Sequence, residues 1–181
     1  MGVALASAAC ATGAGTASPP VVAQEATTPA RPDFSGTWLL DERASQALAG
    51  GGAGGGAGTG QGGGLGLGPP PGRITISQTA SEMIVEETFG STRTRLTYRL
   101  DGNLVRNNVA VGGGRARGSG GFRSSWDGDR LVTSFTVQVM NVPAREYREV
   151  RSLTPEGTLI VEISAVRRVT AGRRTVYQRA R

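Results

Sequence analysis

The sequence contains no histidine among its 181 residues, and its only cysteine is Cys10. Without histidine, Ser-His-Asp and Cys-His catalytic arrangements are excluded, as are metal and haem sites with histidine ligands. A lone cysteine near the start leaves the rest of the chain without a disulfide bond or thiol chemistry. The sequence therefore predicts no catalytic residue, no metal site and no cofactor.

Aromatic residues are also scarce, at 5% of the chain, so a folded core must be built mainly from Val, Ile, Leu and Thr. Glycine is abundant, but about half of it lies between residues 50 and 72. That tract predicts a flexible insert. Its formal GxGxxG spacing at 58–63 does not indicate a nucleotide site, because neither a strand nor a helix flanks it.

Lysine is absent as well, so all 20 basic residues are arginine, with a net charge of +6. One interpretation is a GC-rich coding sequence; the other is that arginine was kept for bidentate contacts to anions. A second Gly-rich patch at 112–121 carries Arg115 and Arg117. We predict a loose loop between strands there, with a nucleic-acid contact as the alternative.

The first thirty residues are small and apolar, and no basic residue precedes Arg31. Val21–Gln24 contains a plausible cleavage site after Ala23. We therefore predict that residues 1–30 are a disordered export signal and linker, and that the protein is periplasmic or secreted. A lipid anchor at Cys10 and a merely disordered terminus are the alternatives. No apolar run reaches the ~18–20 residues of a transmembrane helix.

Short alternating segments separated by turn residues run from Phe34 to the end of the chain, which is typical of an all-β fold. Segment 93–100 alternates cleanly, and Asp101-Gly102 provides a hairpin turn after it. We expect an antiparallel up-and-down β-barrel of about 8–10 strands over residues 31–181, since a long meander must close to hide its edges. Residues 47–72 form a Gly-rich insert between strands one and two. Helical character is confined to 45–49.

Four segments carry a resemblance to a known superfamily: FSGTWLL (34–40), SSWDGDRL (124–131), GTLIVEISAVRR (157–168) and VYQRA (176–180). They are similar to the calycins, the lipocalins and above all the fatty-acid-binding proteins. The start DFSGTW also resembles exported bacterial proteins of unknown role. The resemblance implies a monomeric barrel in which Trp38 packs across the closed end against Arg179, with Gly36 allowing close approach. Such a pair contributes roughly 0.5–2 kcal/mol.

The resemblance fails at the ligand site. Fatty-acid-binding proteins commonly hold a carboxylate with an Arg-x-Tyr pair; here Tyr177 matches the tyrosine, but Thr175 stands at the arginine position. Arg174 is one residue away and so points to the other sheet face. The partner arginine of the family falls near Phe135. We therefore expect the carboxylate clamp to be missing.

Two functions remain open. The first is a non-enzymatic exported barrel that binds a small hydrophobic or amphipathic molecule through interior side chains, namely Tyr98, Phe135, Tyr147, Thr175 and Tyr177. The same residues could equally fill a solid core. The second is an Arg-rich surface for anionic polymers or a protein partner, built from Arg93, Arg95, Arg99, Arg145, Arg148, Arg151, Arg167 and Arg168. Glu146, Glu149 and Glu162 interrupt that surface, which is typical of a solvated sheet face, so nucleic acid is not favoured as a partner.

Overall fold

The computed structural model describes residues 31–49 and 67–181, with the side chains of 46–49 and 168–171 left aside. The elements are β1 Gly36–Leu40, α1 Glu42–Ala49, β2 Arg73–Gln78, β3 Glu82–Phe89, β4 Thr92–Arg99, β5 Val105–Val111, β6 Ala116–Asp127, β7 Arg130–Val139, β8 Val142–Leu153, β9 Leu159–Ala165 and β10 Arg168–Arg179. The predictions for the leader, for Cys10 and for most of the Gly-rich insert concern residues outside these ranges.

The ten strands form one antiparallel sheet in the order β4-β3-β2-β1-β10-β9-β8-β7-β6-β5. Only the β1–β10 pair joins strands distant in sequence, and it places Trp38 opposite Arg179 and Leu40 opposite Tyr177. All other ladders join strands that are consecutive along the chain, so the chain meanders around a nearly closed barrel. The prediction of an all-β antiparallel up-and-down barrel is confirmed.

Strands β4 and β5 are the two ends of the sheet order and share no backbone ladder. A side chain bridges them instead: the Asn107 amide accepts from the Thr97 backbone N–H and donates to the Thr97 carbonyl, both at 2.8 Å. An amide side chain presents the same donor and acceptor pair as a peptide group. Asn107 therefore supplies across this gap the pairing that a neighbouring strand supplies elsewhere.

Period-two alternation decides which side chains fill the barrel. In β4, Thr94, Leu96 and Tyr98 are buried, while Arg93 and Arg95 are exposed. The same alternation repeats around the barrel, so the core is a lumen lined by every second residue of each strand.

The second Gly-rich patch differs from its prediction, because residues 116–121 belong to strand β6 and only residues 112–115 form the turn. A Cβ on Gly120 would lie 2.4 Å from the carbonyl oxygen of Thr136 and 2.9 Å from the ring of Phe122. Glycine is therefore present because a neighbouring backbone and an aromatic ring occupy the space of a side chain. The loose-loop prediction was wrong for this part.

Helix α1 begins before the predicted 45–49 segment and has eight residues. Asp41 caps it: its carboxylate accepts from the Ala44 N–H at 2.9 Å, an N-cap interaction that satisfies one free donor of the first turn. The Ser45 hydroxyl accepts from the Val176 N–H of β10 at 2.9 Å, which fixes the helix on the barrel. Among the described residues, no helix has the length and apolar character to cross a membrane.

Candidate functional site

Trp38 of β1 is fully buried beside the β1–β10 ladder. Its indole N–H donates to the Phe34 carbonyl at 2.9 Å, and the Arg179 guanidinium lies 4.8 Å from its ring centroid. Gly36 has φ +134°, and a Cβ there would lie 3.2 Å from an Arg179 nitrogen. Glycine at this position leaves room for the guanidinium, so all three residues of the predicted closure meet in one place.

The five predicted lining residues all face the lumen and are buried: Tyr98, Phe135, Tyr147, Thr175 and Tyr177. Three of them belong to a row of rings that also includes Phe122. Tyr98 meets Phe122 edge-on at 5.5 Å, and Phe122, Phe135 and Tyr147 stack in turn at 4.8 and 5.1 Å. These rings pack on one another and form an apolar wall on the β4–β8 side of the lumen.

An ion pair lies inside the barrel on β8. The Arg151 Nε is 2.6 Å from a Glu149 carboxylate oxygen, and both side chains are buried. The same guanidinium donates to the Tyr98 hydroxyl at 3.0 Å and lies 5.0 Å from that ring's centroid. Burial alone would lower the pKa of Arg151, but the adjacent Glu149 carboxylate raises it above its usual value. Arg151 is thus a permanent cation, and its Nη1 is buried without a hydrogen-bond partner.

A second arginine enters the lumen from β10. Arg173 donates to the Gly68 carbonyl, while its buried Nε has no partner. Two residues further on, the Tyr177 hydroxyl donates to the Pro71 carbonyl at 3.2 Å, and burial raises the pKa of Tyr177 above its usual value. The segment 67–72 that precedes β2 therefore lies over the lumen and is held by donors on β10.

Glu87 of β3 is the fourth charged group of this interior, and it is half-buried rather than fully enclosed. Burial raises its pKa to about 7, with Glu149 adding to the rise and Arg151 and Arg173 opposing it. Glu87, Glu149 and Arg173 line a half-open cavity of about 50 Å³, together with Tyr98 and apolar side chains. We call Glu87, Glu149, Arg151 and Arg173 the interior charge cluster.

The cluster corrects two assignments made from the sequence. Arg151 and Glu149 were assigned to the outer Arg-rich face. The two residues are only 2% and 5% exposed, respectively, and their side chains point inward. Glu149 lies two residues after Tyr147 and Arg151 lies four residues after it. Because Tyr147 was assigned to the interior, the period-two alternation of a strand was enough to place both residues on the same face. The same step relates Arg173 to Thr175 and Tyr177.

The predicted loss of the family's clamp therefore needs a qualification. Thr175 and Phe135 do stand inside where the resemblance expects arginines, and Arg174 does point outward, 3.2 Å from Glu162. Arginines nevertheless reach the lumen from other positions, Arg151 and Arg173. The interior carries basic donors, although the family's spacing does not reveal them.

The outer Arg-rich face therefore lacks Arg151, which the sequence had assigned to it. Arg99 pairs with Asp101 at 2.7 Å in the turn after β4. Other arginines are exposed on neighbouring strands at the β4–β5–β6 side, namely Arg93, Arg95, Arg106, Arg117 and Arg123. Within residues 31–49 and 67–181, no three His, Cys, Asp or Glu side chains come together as metal ligands would.

These features define a fold of the calycin type: a ten-stranded antiparallel barrel, closed between its first and last strands, with polar groups inside. The solved structures that are similar to it include the following two. The REP1-NXSQ fatty acid transporter has 13% identity and a TM-score of 0.50, covering 82% of this chain and 96% of that one. Apo lipid binding protein 8 of Caenorhabditis elegans has 12% identity and a TM-score of 0.49, covering 81% and 95%. No family model and no curated protein sequence matches the chain.

Proposed function

We propose that this protein is a non-enzymatic barrel that binds a small amphipathic organic anion in its lumen. The observation that carries the proposal is a pair of buried guanidinium nitrogens without partners, Nη1 of Arg151 and Nε of Arg173. Buried polar groups are normally hydrogen-bonded, and an unmet donor costs about 1–3 kcal/mol. An anionic ligand head in the cavity lined by Arg173 would satisfy the Arg173 donor and lie on the same side of the lumen as the Arg151–Glu149 pair.

The apolar wall supplies the second half of the proposed site. A ligand whose head meets the Arg173 guanidinium has the Phe122 and Phe135 rings beside it, since both rings line the cavity that Arg173 and Glu149 also line. Apolar contact with a few fixed polar groups is the usual composition of a small-molecule site. The proposed ligand class is therefore an acid with an apolar body. Such a ligand is much larger than the cavity of about 50 Å³, so its binding requires the covering residues Leu67, Pro69 and Pro71 to move outward.

We further propose that residues 1–30 direct export.

A probe-binding experiment tests this site. The anionic dye 1-anilinonaphthalene-8-sulfonate would be titrated into the full chain and into Arg173→Gln and Arg174→Gln variants. Arg174 is the matched control, because it lies next to Arg173 on β10 but faces outward. We expect the dye affinity to fall at least about tenfold in Arg173→Gln, as for a lost charged hydrogen bond, and to stay unchanged in Arg174→Gln. Equal affinities in both variants would contradict the proposed head site.

Native mass spectrometry of the protein purified gently from its own host identifies the ligand. We expect an adduct that survives mild ionisation and is lost on denaturation. A bare mass together with no dye binding would show a solid core, and the function would then lie on the outer surface.

The second candidate is binding of anionic polymers at the exposed arginines of β4, β5 and β6. Their clustering on neighbouring strands is the observation in its favour. Such binding would weaken steeply with salt, because it releases counterions. Dye binding in the lumen would change little over the same range, so a salt titration of both ligands separates the two functions.

A further inference from the structure

We propose that an anionic ligand head enters the lumen together with a proton, and that Glu87 takes up this proton. The inference rests on the proposed function. It concerns how the interior charge cluster accommodates one more negative charge, and it predicts in which pH range the ligand is held and in which it is released.

The groups that face Glu87 come from every element around the cavity. On β4, Thr94 is its Cα partner and Tyr98 lines the same cavity; on β2, its partner is the apolar Ile74. From β8 come Glu149 and Arg151, and from β10 come Arg173 and Tyr177. Leu67, Pro69 and Pro71 cover the cavity with apolar atoms.

Within this set, the two carboxylates are held differently. Glu149 accepts a charged hydrogen bond of 2.6 Å from Arg151, and this bond would be weakened if Glu149 were neutral. In the part of the chain that the structure describes, Glu87 has neither an ion pair nor a hydrogen bond. Across from it, the buried Thr94 hydroxyl also lacks a partner. Glu87 is thus the carboxylate that loses least on becoming neutral.

Charge balance then requires a proton when an anion binds. The cluster holds two carboxylates and two guanidiniums, so its formal charge is zero before a ligand arrives. A third negative charge in a poorly solvated lumen is costly unless a charge of the same sign is removed. Protonation of Glu87 removes one. Because burial already holds the pKa of Glu87 near neutrality, the proton is available at physiological pH.

Linkage fixes the direction of the effect. Binding of the anion raises the pKa of Glu87 further, so the complex binds more protons than the free protein. Affinity is then constant at pH values where free Glu87 is already protonated. It falls by up to about tenfold per pH unit above that range.

The test is isothermal titration calorimetry with 1-anilinonaphthalene-8-sulfonate, whose sulfonate stays ionised, in buffers of different ionisation enthalpy at pH about 7.5. Free Glu87, with a pKa of about 7, already holds about a quarter of a proton at this pH, so we expect a net uptake of up to about three quarters of a proton per dye in the unaltered chain and in Glu86→Gln. Glu86, the outward neighbour of Glu87 on β3, is the matched control. In Glu87→Gln we expect no uptake and an affinity that does not change between pH 6 and about 8.5.

Binding of the dye without proton uptake, or equal uptake in Glu87→Gln, would overturn this inference while leaving the proposed function intact. Failure of the unaltered chain to bind the dye at any pH would overturn both. Carbon-13 NMR of the Glu87 carboxyl gives a second readout that needs no variant. Its pKa must rise on dye binding, and an unchanged or lower value contradicts the proposal.

Discussion

At the scale of single residues, Glu87 has the largest consequence for stability. An unfolded glutamate ionises near pH 4.5, whereas burial keeps Glu87 protonated in the folded barrel up to about pH 7. The folded state therefore binds more protons between these values, and its stability falls as the pH rises through them.

We accordingly expect Glu87→Gln to stabilise the protein at pH about 8 and to have little effect at pH about 4. The full shift corresponds to roughly 3 kcal/mol, and partial exposure of the side chain reduces this, so a gain of about 1–2 kcal/mol is expected. Urea unfolding at both pH values measures it. Glu86→Gln serves as the exposed control, and an equal effect of the two substitutions would contradict the explanation.

Arg179 stabilises the closed end through the Trp38 ring at 4.8 Å. Replacement by methionine keeps the apolar stem but removes the cation, and because Arg179 is exposed we expect a loss of about 0.5–1 kcal/mol. Thermal unfolding compares it with Arg93→Met, an exposed arginine on β4. If Arg179→Met costs no more than Arg93→Met, then the cation does not stabilise this end of the barrel.

At the scale of elements, the bridge between β4 and β5 depends on one amide. Asn107→Ala removes both hydrogen bonds to Thr97 and leaves that peptide group without a partner at the gap. We expect a loss of about 1–3 kcal/mol in urea unfolding. Asn108→Ala, the exposed neighbour on the same strand, should change stability by less than about 0.5 kcal/mol. Similar losses in both variants would show that Asn107 does not join the strands.

Most elements were predictable because their local signals agree with the fold. The β4 segment alternates without exception, and Asp101-Gly102 marks its turn, so sequence alone places both. Helix α1 was underestimated because it depends on the Asp41 cap and on docking to Val176 of β10, a residue distant in sequence. The strand at 116–121 was missed because its glycines reflect a close backbone approach, which composition does not distinguish from a loop.

The site was predictable in part for the same reason. The aromatic lining residues follow from alternation and side-chain type. The charged members of the lumen were missed because a charged residue on a strand is usually solvent-exposed, and this expectation outweighed their spacing from Tyr147 and Tyr177. The ion pair between Glu149 and Arg151 offsets the free-energy cost of burying two charges. In the sequence, the alternation of inward and outward residues was the available signal that both side chains face the lumen.

At the scale of the whole molecule, the barrel has two unlike seams. The β1–β10 seam is a backbone ladder between the first and last strands, whereas the β4–β5 seam is bridged by one side chain. Local opening of a fold needs less free energy where fewer hydrogen bonds must break. We therefore expect the β4–β5 seam to open at a lower free energy than the β1–β10 seam.

Native-state hydrogen exchange tests this order. The Thr97 amide reports on the β4–β5 seam, since it donates to Asn107, and the ladder amides around Leu39 and Gln178 report on the β1–β10 seam. We expect Thr97 to exchange through a local opening at a free energy clearly below that of global unfolding. The β1–β10 ladder amides should exchange only when the whole barrel unfolds. Equal protection at both seams would mean that the barrel opens as one unit, and the single Asn107 bridge would then be as effective as a ladder.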